Sequence, residues 1–372
     1  MTTPTTPPTA TRTLVPGTVV DGRFRIQATT GEWRLGTAYR AQGRDGAVTL
    51  LIAPLSKGRA ATFPDWLRGE VERTRGARGP DLITLQDGGL FGAGESFLVL
   101  APWRGHSLLE EVKAQGTVTN ERACRLIERV ARIAARAHGT GLTLADLRPS
   151  TVLVSWPSGE PLVLDLGMGR GLTSYLASAP PPAPAYASPE RALGGQATPA
   201  DDVYSMGALL FYLLTARAPA TGNPGETRVA MPPSWVRKDE GVARYIDPVV
   251  LRAMSPEARD RGTAAELADA LGSLREVFRL SSAAREVLGL PAGAGDFRGE
   301  PTSPFFLHDV LGVPPGQGGS VDGSIDEITG LDEVTGLDDP SGEFDAEPQT
   351  DAAMQRELRD APPALPVHRR RR

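Results

Sequence analysis

Between residues 31 and 267 a series of short motifs runs in a fixed order, and that order constrains the fold more than any other feature of the sequence. A β-prone stretch carries Gly31-x-Trp33-x-x-Gly36. A long amphipathic helix leads into Leu144-Ala145-Asp146-Leu147-Arg148-Pro149-Ser150-Thr151-Val152-Leu153-Val154. Asp165-Leu166-Gly167 follows, then Tyr186-Ala187-Ser188-Pro189-Glu190 and Asp202-Val203-Tyr204-Ser205-Met206-Gly207. Arg261-Gly262-Thr263-Ala264-Ala265-Glu266-Leu267 ends the series. Each motif is weak alone; in this order and spacing, chance is a poor explanation.

The intervening sequence supplies elements to carry them. Residues 23–29, 36–41 and 47–53 are short β-prone runs separated by Gly and Asp, which reads as an antiparallel meander. A helix is expected near 63–77, and strands near 82–86 and 97–102. The clearest helix spans 119–138, with Thr119 or Asn120 as its cap and Leu126, Val130, Ile133 and Ala137 on one apolar stripe. Two short strands, 151–154 and 161–164, follow. A Pro/Ala-rich loop is expected over 168–185, then helices to about residue 280. Residues 1–18 are Thr/Pro-rich and expected to be disordered. Residues 281–372 read as a largely disordered acidic tail, since ten acids and no Lys or Arg lie between Asp322 and Glu347.

Composition limits the function classes. The chain has 372 residues, 40% of them hydrophobic, enough for a sizeable core, and a net charge of −5 that argues against a nucleic-acid partner. The single cysteine, Cys124, excludes an intrachain disulfide and reads as inert filler. The first residues lack the apolar core of a signal peptide, and no run reaches the roughly 18–20 apolar residues of a membrane span. The expectation is a cytoplasmic protein. Only three lysines occur, Lys57, Lys113 and Lys238.

The motif series resembles the bacterial serine/threonine protein kinases of eukaryotic type, over about residues 20–280. The resemblance implies an α+β, bilobal fold: a small antiparallel β lobe over a large, mainly helical lobe, spanning 19–280. It implies a nucleotide cleft near Gly31, Gly36, Leu51, Leu100, Ala101 and Leu153. It also implies a catalytic base at Asp146, a phosphate-neutralising Arg148 and a metal-binding Asp165. Three residues are implied to be architectural. Glu190 would pair with a buried Arg261, and Asp202 would cap the backbone of the loop around Asp146.

Several positions depart from the family pattern. The strand lysine that clamps phosphate aligns with Leu51, which leaves the helix glutamate, Glu70, read as solvated and without a partner. The second metal ligand aligns with Thr151, a poor replacement for an amide oxygen. The middle glycine of the loop is Trp33, and a threonine before Pro184 is Ala183. Leu144 and Leu166 replace a histidine and a phenylalanine and are expected to stack in the spine that ties the lobes. Ala145 leaves no arginine there to read a phosphorylated loop. Asp146 and Asp165 then place negative charge in the cleft with no lysine opposite, so ATP with magnesium is expected to bind weakly at best. Three readings follow: a pseudokinase serving as a signalling scaffold or regulator, an active kinase using Arg40 or Arg148 in place of the lysine, or an ATP sensor without transfer. Arg34 lies in the same region as Arg40.

The tail adds a partner hypothesis. Residues 326–331 and 332–337 form a short repeat, and Thr329 and Thr335 each have Asp three residues downstream. A phosphate there would add about −1.5 to −2 charge and resemble the ligands of forkhead-associated phosphothreonine readers.

Overall fold

The structure is a computed structural model. It describes residues 13–287 except 34, 93, 178–184, 221–229 and 238–240, with backbone alone at 32, 33 and 280–287. The chain begins as the antiparallel strands expected from its alternation: β1 (Val19–Val20), β2 (Phe24–Trp33), β3 (Gly36–Gly43) and β4 (Gly46–Pro54). After helix α1 (Phe63–Thr74) come β5 (Leu82–Phe91) and β6 (Glu95–Leu100). β7 (Gly105–Ser107), β8 (Val152–Ser155) and β9 (Pro161–Asp165) complete a sheet of order β1-β2-β3-β4-β6-β5-β9-β8-β7. Among the described residues the one parallel strand pairing, β5 with β9, aligns Thr84 with Asp165 and so delivers that aspartate to the junction of the two strand groups.

β4 shows why the small lobe is covered on both faces. Successive side chains of a strand point to opposite sides. Leu50 and Ile52 accordingly pack with Tyr39 and Phe97, whereas Leu51 and Ala53 pack with Ala38, Phe63 and Leu67. The apolar run of β4 is thus that of a strand buried on both faces. α1 covers the Leu51 face, and its buried positions are Phe63, Leu67, Glu70 and Thr74.

The helical lobe contains α2 (Leu108–Gln115), α3 (Asn120–Gly139), α4 (Pro189–Ala192), α5 (Pro199–Thr215), α6 (Pro233–Val236), α7 (Asp247–Ala253) and α8 (Ala264–Val287). Thr119 caps α3, its hydroxyl accepting from the Arg122 N–H at 3.3 Å. The stripe Leu126, Val130, Ile133 and Ala137 is buried in one core with α5, α7 and the start of α8. α5 is the central helix, buried at every residue from Asp201 to Thr215. Cys124 is buried in this core, and burial pushes its thiol up to about 12, consistent with an inert side chain. Among the described residues, no helix is long and apolar enough to cross a membrane.

The structure departs from the sequence reading in three places. Packing begins before residue 19, because Leu14 is buried and its N–H donates to the Tyr39 hydroxyl at 3.0 Å. The expected loop starting at 168 opens as two 3₁₀ turns, Met168–Arg170 and Leu172–Ser174. Helix α8 runs past 280 to Val287. The acidic tail with Thr329 and Thr335 lies outside the described residues, as do Arg34, Ala183 and the Trp33 side chain.

Candidate functional site

The loop after α3 is anchored from below. Asp202, buried on α5, accepts the N–H groups of Leu144 and Ala145 at 2.8 Å each and contacts His138 Nε2 at 2.8 Å. Ala145 takes a positive φ of 64°, a strained conformation for a residue with a Cβ, and the Asp202 bonds help hold it there. Thr151 closes the same loop. Its hydroxyl donates to the Asp146 carbonyl at 2.7 Å and accepts from the Arg148 N–H at 3.0 Å.

Above this loop lies an ionic hub that the sequence reading missed. Arg170 Nε donates to Glu70 Oε1 at 2.9 Å, and Nη2 also bonds that oxygen. Nη2 reaches both oxygens of Asp165 at 2.8 Å. Nη1 donates to the carbonyls of Thr143 at 2.7 Å and Leu144 at 2.9 Å. A guanidinium has five N–H groups in a planar fork, and all five here face protein acceptors. Burial opposes the charge of Arg170, but Asp165 and Glu70 outweigh it and hold the guanidinium above the usual arginine range. Burial pushes Asp165 up to about 6, with Arg170 pulling against it.

This arrangement corrects three expectations. Glu70 is not solvated and unpartnered; it is 1% exposed and bonded to Arg170 and Arg73. The cation that meets it comes from Arg170, whereas Arg40 is exposed on β3. The two aspartates therefore do not face a cleft without positive charge. Leu144 and Leu166 are both buried, but in different apolar clusters, Leu144 with the helical core and Leu166 with the Leu51 cluster. Arg170 occupies the junction, bonded to the Leu144 carbonyl.

The chain after Asp165 is shaped for this contact. A Cβ at Gly169 would lie 2.2 Å from the Ala145 carbonyl oxygen, so only glycine lets the first turn pass this close to the loop. The second turn then meets α1. Tyr175 sits 5.7 Å from Phe63 and 5.3 Å from Trp66 between ring centroids. Leu176 bridges Leu55, the Ser56 N–H donates to the Tyr175 carbonyl at 2.7 Å, and the Ala177 N–H donates to the Pro54 carbonyl at 2.9 Å.

The expected nucleotide walls are apolar and closely packed. Leu51 is 0% exposed and shares one cluster with Leu35, Ala38, Leu100 and Leu153, against which Ala101 packs. Gly31 pairs with Ala38, and Gly36 pairs with the backbone of Trp33. A Cβ at Gly36 would fall 1.9 Å from the Ile52 carbonyl oxygen, so strand packing alone already requires that glycine.

Asp146 and Arg148 face elsewhere. They line a cavity of about 350 Å³ with Met168, Gly169, Thr173 and Arg191, a set that contains none of the expected nucleotide-wall residues. Arg148 Nη2 lies 3.2 Å from Asp146 Oδ2, but Oδ2 and the Arg148 Nε are buried without a hydrogen bond. Burial pushes Asp146 up to about 6; Arg148 opposes this and the charge of Asp165 adds to it. Further out, Arg261 grips Glu190 with Nη1 on Oε1 at 2.5 Å and Nη2 on Oε2 at 2.9 Å.

These residues, as they stand, do not fit a magnesium-bound nucleotide. A metal ion needs free oxygen ligands, yet both Asp165 oxygens are taken by Arg170 and the Thr151 hydroxyl is engaged with backbone. Phosphate needs a cation with free donors, and Leu51 supplies none.

Comparison with known proteins places this geometry in context. The family model described as protein kinase domain matches residues 29–258. A probable serine/threonine-protein kinase, pknA2, of Bifidobacterium longum is 27% identical over 349 residues, covering 82% of this chain and 46% of that protein. Serine/threonine-protein kinase PknK of Mycobacterium bovis is 27% identical over 298 residues, covering 76% of this chain and 26% of its own length. The chain thus spans less than half the length of these two relatives. The crystal structure of the PknI kinase domain of Mycobacterium tuberculosis superimposes with a TM-score of 0.56 at 21% identity, covering 70% of this chain and 99% of that domain, a likeness of fold.

Proposed function

We propose that this chain, which belongs to the protein kinase family, is a catalytically impaired member, a pseudokinase acting as a scaffold or regulator in cytoplasmic signalling. The observation that carries this reading is the state of Asp165, buried and bonded through both oxygens to Arg170. Phosphoryl transfer depends on positioning and charge neutralisation around the moving phosphate. A buried Leu51 and an engaged Asp165 remove two of those charges from service. Losing such contacts raises a barrier by several kcal/mol, and each ~1.4 kcal/mol is tenfold in rate. The partners are other signalling proteins. Thr329 and Thr335, if phosphorylated, suit a phosphothreonine reader.

A second reading has one observation in its favour. Asp146 and Arg148 stand together at an open cavity, as a base and a phosphate-neutralising group would. Two measurements separate the readings. The full chain is expected to give no radiolabelled phosphate transfer above the level of its Asp146→Asn variant, and no magnesium-dependent thermal shift with ATP. Transfer that disappears in Asp146→Asn would sink the pseudokinase reading. A metal-dependent shift without transfer would make the chain a nucleotide sensor.

A further inference from the structure

Asp146 and Arg148 share their cavity with a second arginine, Arg191 on α4, whose charge no acid among the described residues meets. We propose that this cavity is a phosphoresidue pocket, in which Arg148 and Arg191 hold the phosphate of a phosphorylated serine or threonine on a partner protein. The proposal rests on the pseudokinase reading and names the chemistry by which such a scaffold recognises its partner.

The charges of the lining favour an anion. Four charged side chains face the cavity: Asp146, Arg148, Arg191 and Asp201. Asp201 is engaged in the cap of α5. Its Oδ2 accepts from the Thr198 N–H at 2.5 Å and hydroxyl at 2.9 Å, and its Oδ1 accepts from the Ser188 hydroxyl. Arg148 pairs with Asp146 at 3.2 Å. That leaves the charge of Arg191 unbalanced.

The donors are also in place. Arg148 Nε is buried without an acceptor, which is costly unless a ligand oxygen meets it. Arg191 donates Nη1 to the Gly195 carbonyl at 2.6 Å and Nη2 to the Gly169 carbonyl at 3.2 Å. Of its five N–H groups, the others stay open among the described residues, while the two carbonyls fix the fork before any ligand arrives. Both arginines pull on the charge of Asp146, so the two cations lie around one point. A bare hydroxyl at that point would leave Arg191 unmet. A phosphate monoester brings about −1.5 to −2 charge and three acceptor oxygens, which suits two guanidinium forks. Met168 and Ala187 give the carbon stem of the residue an apolar wall, and the volume of about 350 Å³ is that of a small-ligand pocket.

Asp146 is then the one group that repels the ligand, the reverse of the part a catalytic base would play. The experiment uses a fluorescein-labelled peptide, Ala-Ala-Gly-Thr-Gly-Ala-Ala, phosphorylated on its threonine and titrated with the full chain by fluorescence anisotropy. The unphosphorylated peptide and competition by inorganic phosphate run in parallel. The phosphopeptide is expected to bind saturably and the unphosphorylated peptide not at all. Arg148→Met and Arg191→Met are each expected to weaken binding by about tenfold or more. Asp146→Asn is expected to tighten it by about fourfold or more, because a like charge beside the phosphate is gone. A misfolded variant cannot imitate that gain. Equal binding of the two peptides overturns the proposal, as does binding kept in both arginine variants or lost in Asp146→Asn. Inorganic phosphate that competes as well as the phosphopeptide itself shows a simple anion site and counts equally against it. Phosphate transfer that needs Asp146 would instead strike at the pseudokinase reading, so the two failures are told apart.

Discussion

Asp146 carries a buried oxygen without a hydrogen bond, and this makes the charged form of its carboxyl expensive to keep. Its folded pKa is raised to about 6, against roughly 3.9 in an unfolded chain. Between these values the folded chain binds more protons than the unfolded one. Stability therefore falls as pH rises from about 4 to 6 and stays at the lower level above that. Asp165 shares the direction and the window. Asp146→Asn is expected to be more stable than wild type at pH 7.5 by about 1–3 kcal/mol, the gain fading by pH 4. Denaturant titrations at the two pH values check this, and a variant no more stable than wild type at pH 7.5 would contradict it. Asp146 and Asp165 could be located from their motifs, but the hub between Asp165 and Glu70 was not found. Glu70 falls three residues after Leu67 and seven after Phe63, on the stripe that α1 buries, and that spacing was the available signal. Of the replacement cations that the sequence suggests, Arg40 turns outward on β3 and Arg148 faces the cavity beside Asp146, whereas Arg170 meets Glu70. An arginine five residues after Asp165, in a chain with leucine at the lysine position, was the other clue. Neither clue is decisive alone, because contact across 100 residues is set by packing rather than by local pattern.

At the scale of elements, α4 shows what a distant partner must do. A helix of four residues does not persist by its own hydrogen bonds. α4 is held because Glu190 is gripped by Arg261, whose side chain is 0% exposed and also bonds the carbonyls of Ser255, Pro256 and Ala200. Burial opposes the charge of Glu190, but the Arg261 hydrogen bonds win and draw its pKa down to about 2. Arg261→Met keeps much of the volume and removes every one of these bonds. It is expected to destabilise the chain by about 3–5 kcal/mol, measured as a fall in the denaturation midpoint; a loss under about 1 kcal/mol would show that the pair is not structural. The strands of the small lobe were readable because alternation and turn residues are local. The 3₁₀ turns of 168–174 were not, since a Pro- and Ala-rich composition nearby suggested loop, while what orders them is Tyr175 on α1 and Gly169 against Ala145.

At the scale of the molecule, the two lobes are joined by strand pairing, ion pairs and ring contacts. β5 and β9 pair across the junction, with Thr84 opposite Asp165. Arg170 ties α1 to the loop at Thr143 and Leu144, and the backbone of Tyr175 and Ala177 ties the chain after Asp165 to the end of β4 and to Ser56. Domains above roughly 150 residues often unfold through intermediates, and a hinge with few contacts invites the lobes to melt separately. Here the junction carries a strand pairing, a buried ion hub and an aromatic cluster, so loosening one lobe exposes charges that the other must satisfy. Scanning calorimetry of the full chain is expected to give one transition, with calorimetric and van't Hoff enthalpies that agree. Arg170→Leu removes the hub while leaving the β5–β9 pairing in place, and is expected to broaden the transition or split it in two. Two resolved transitions in the wild type would show that the lobes are coupled only loosely, and that the closed cleft is a property of each lobe rather than of their union.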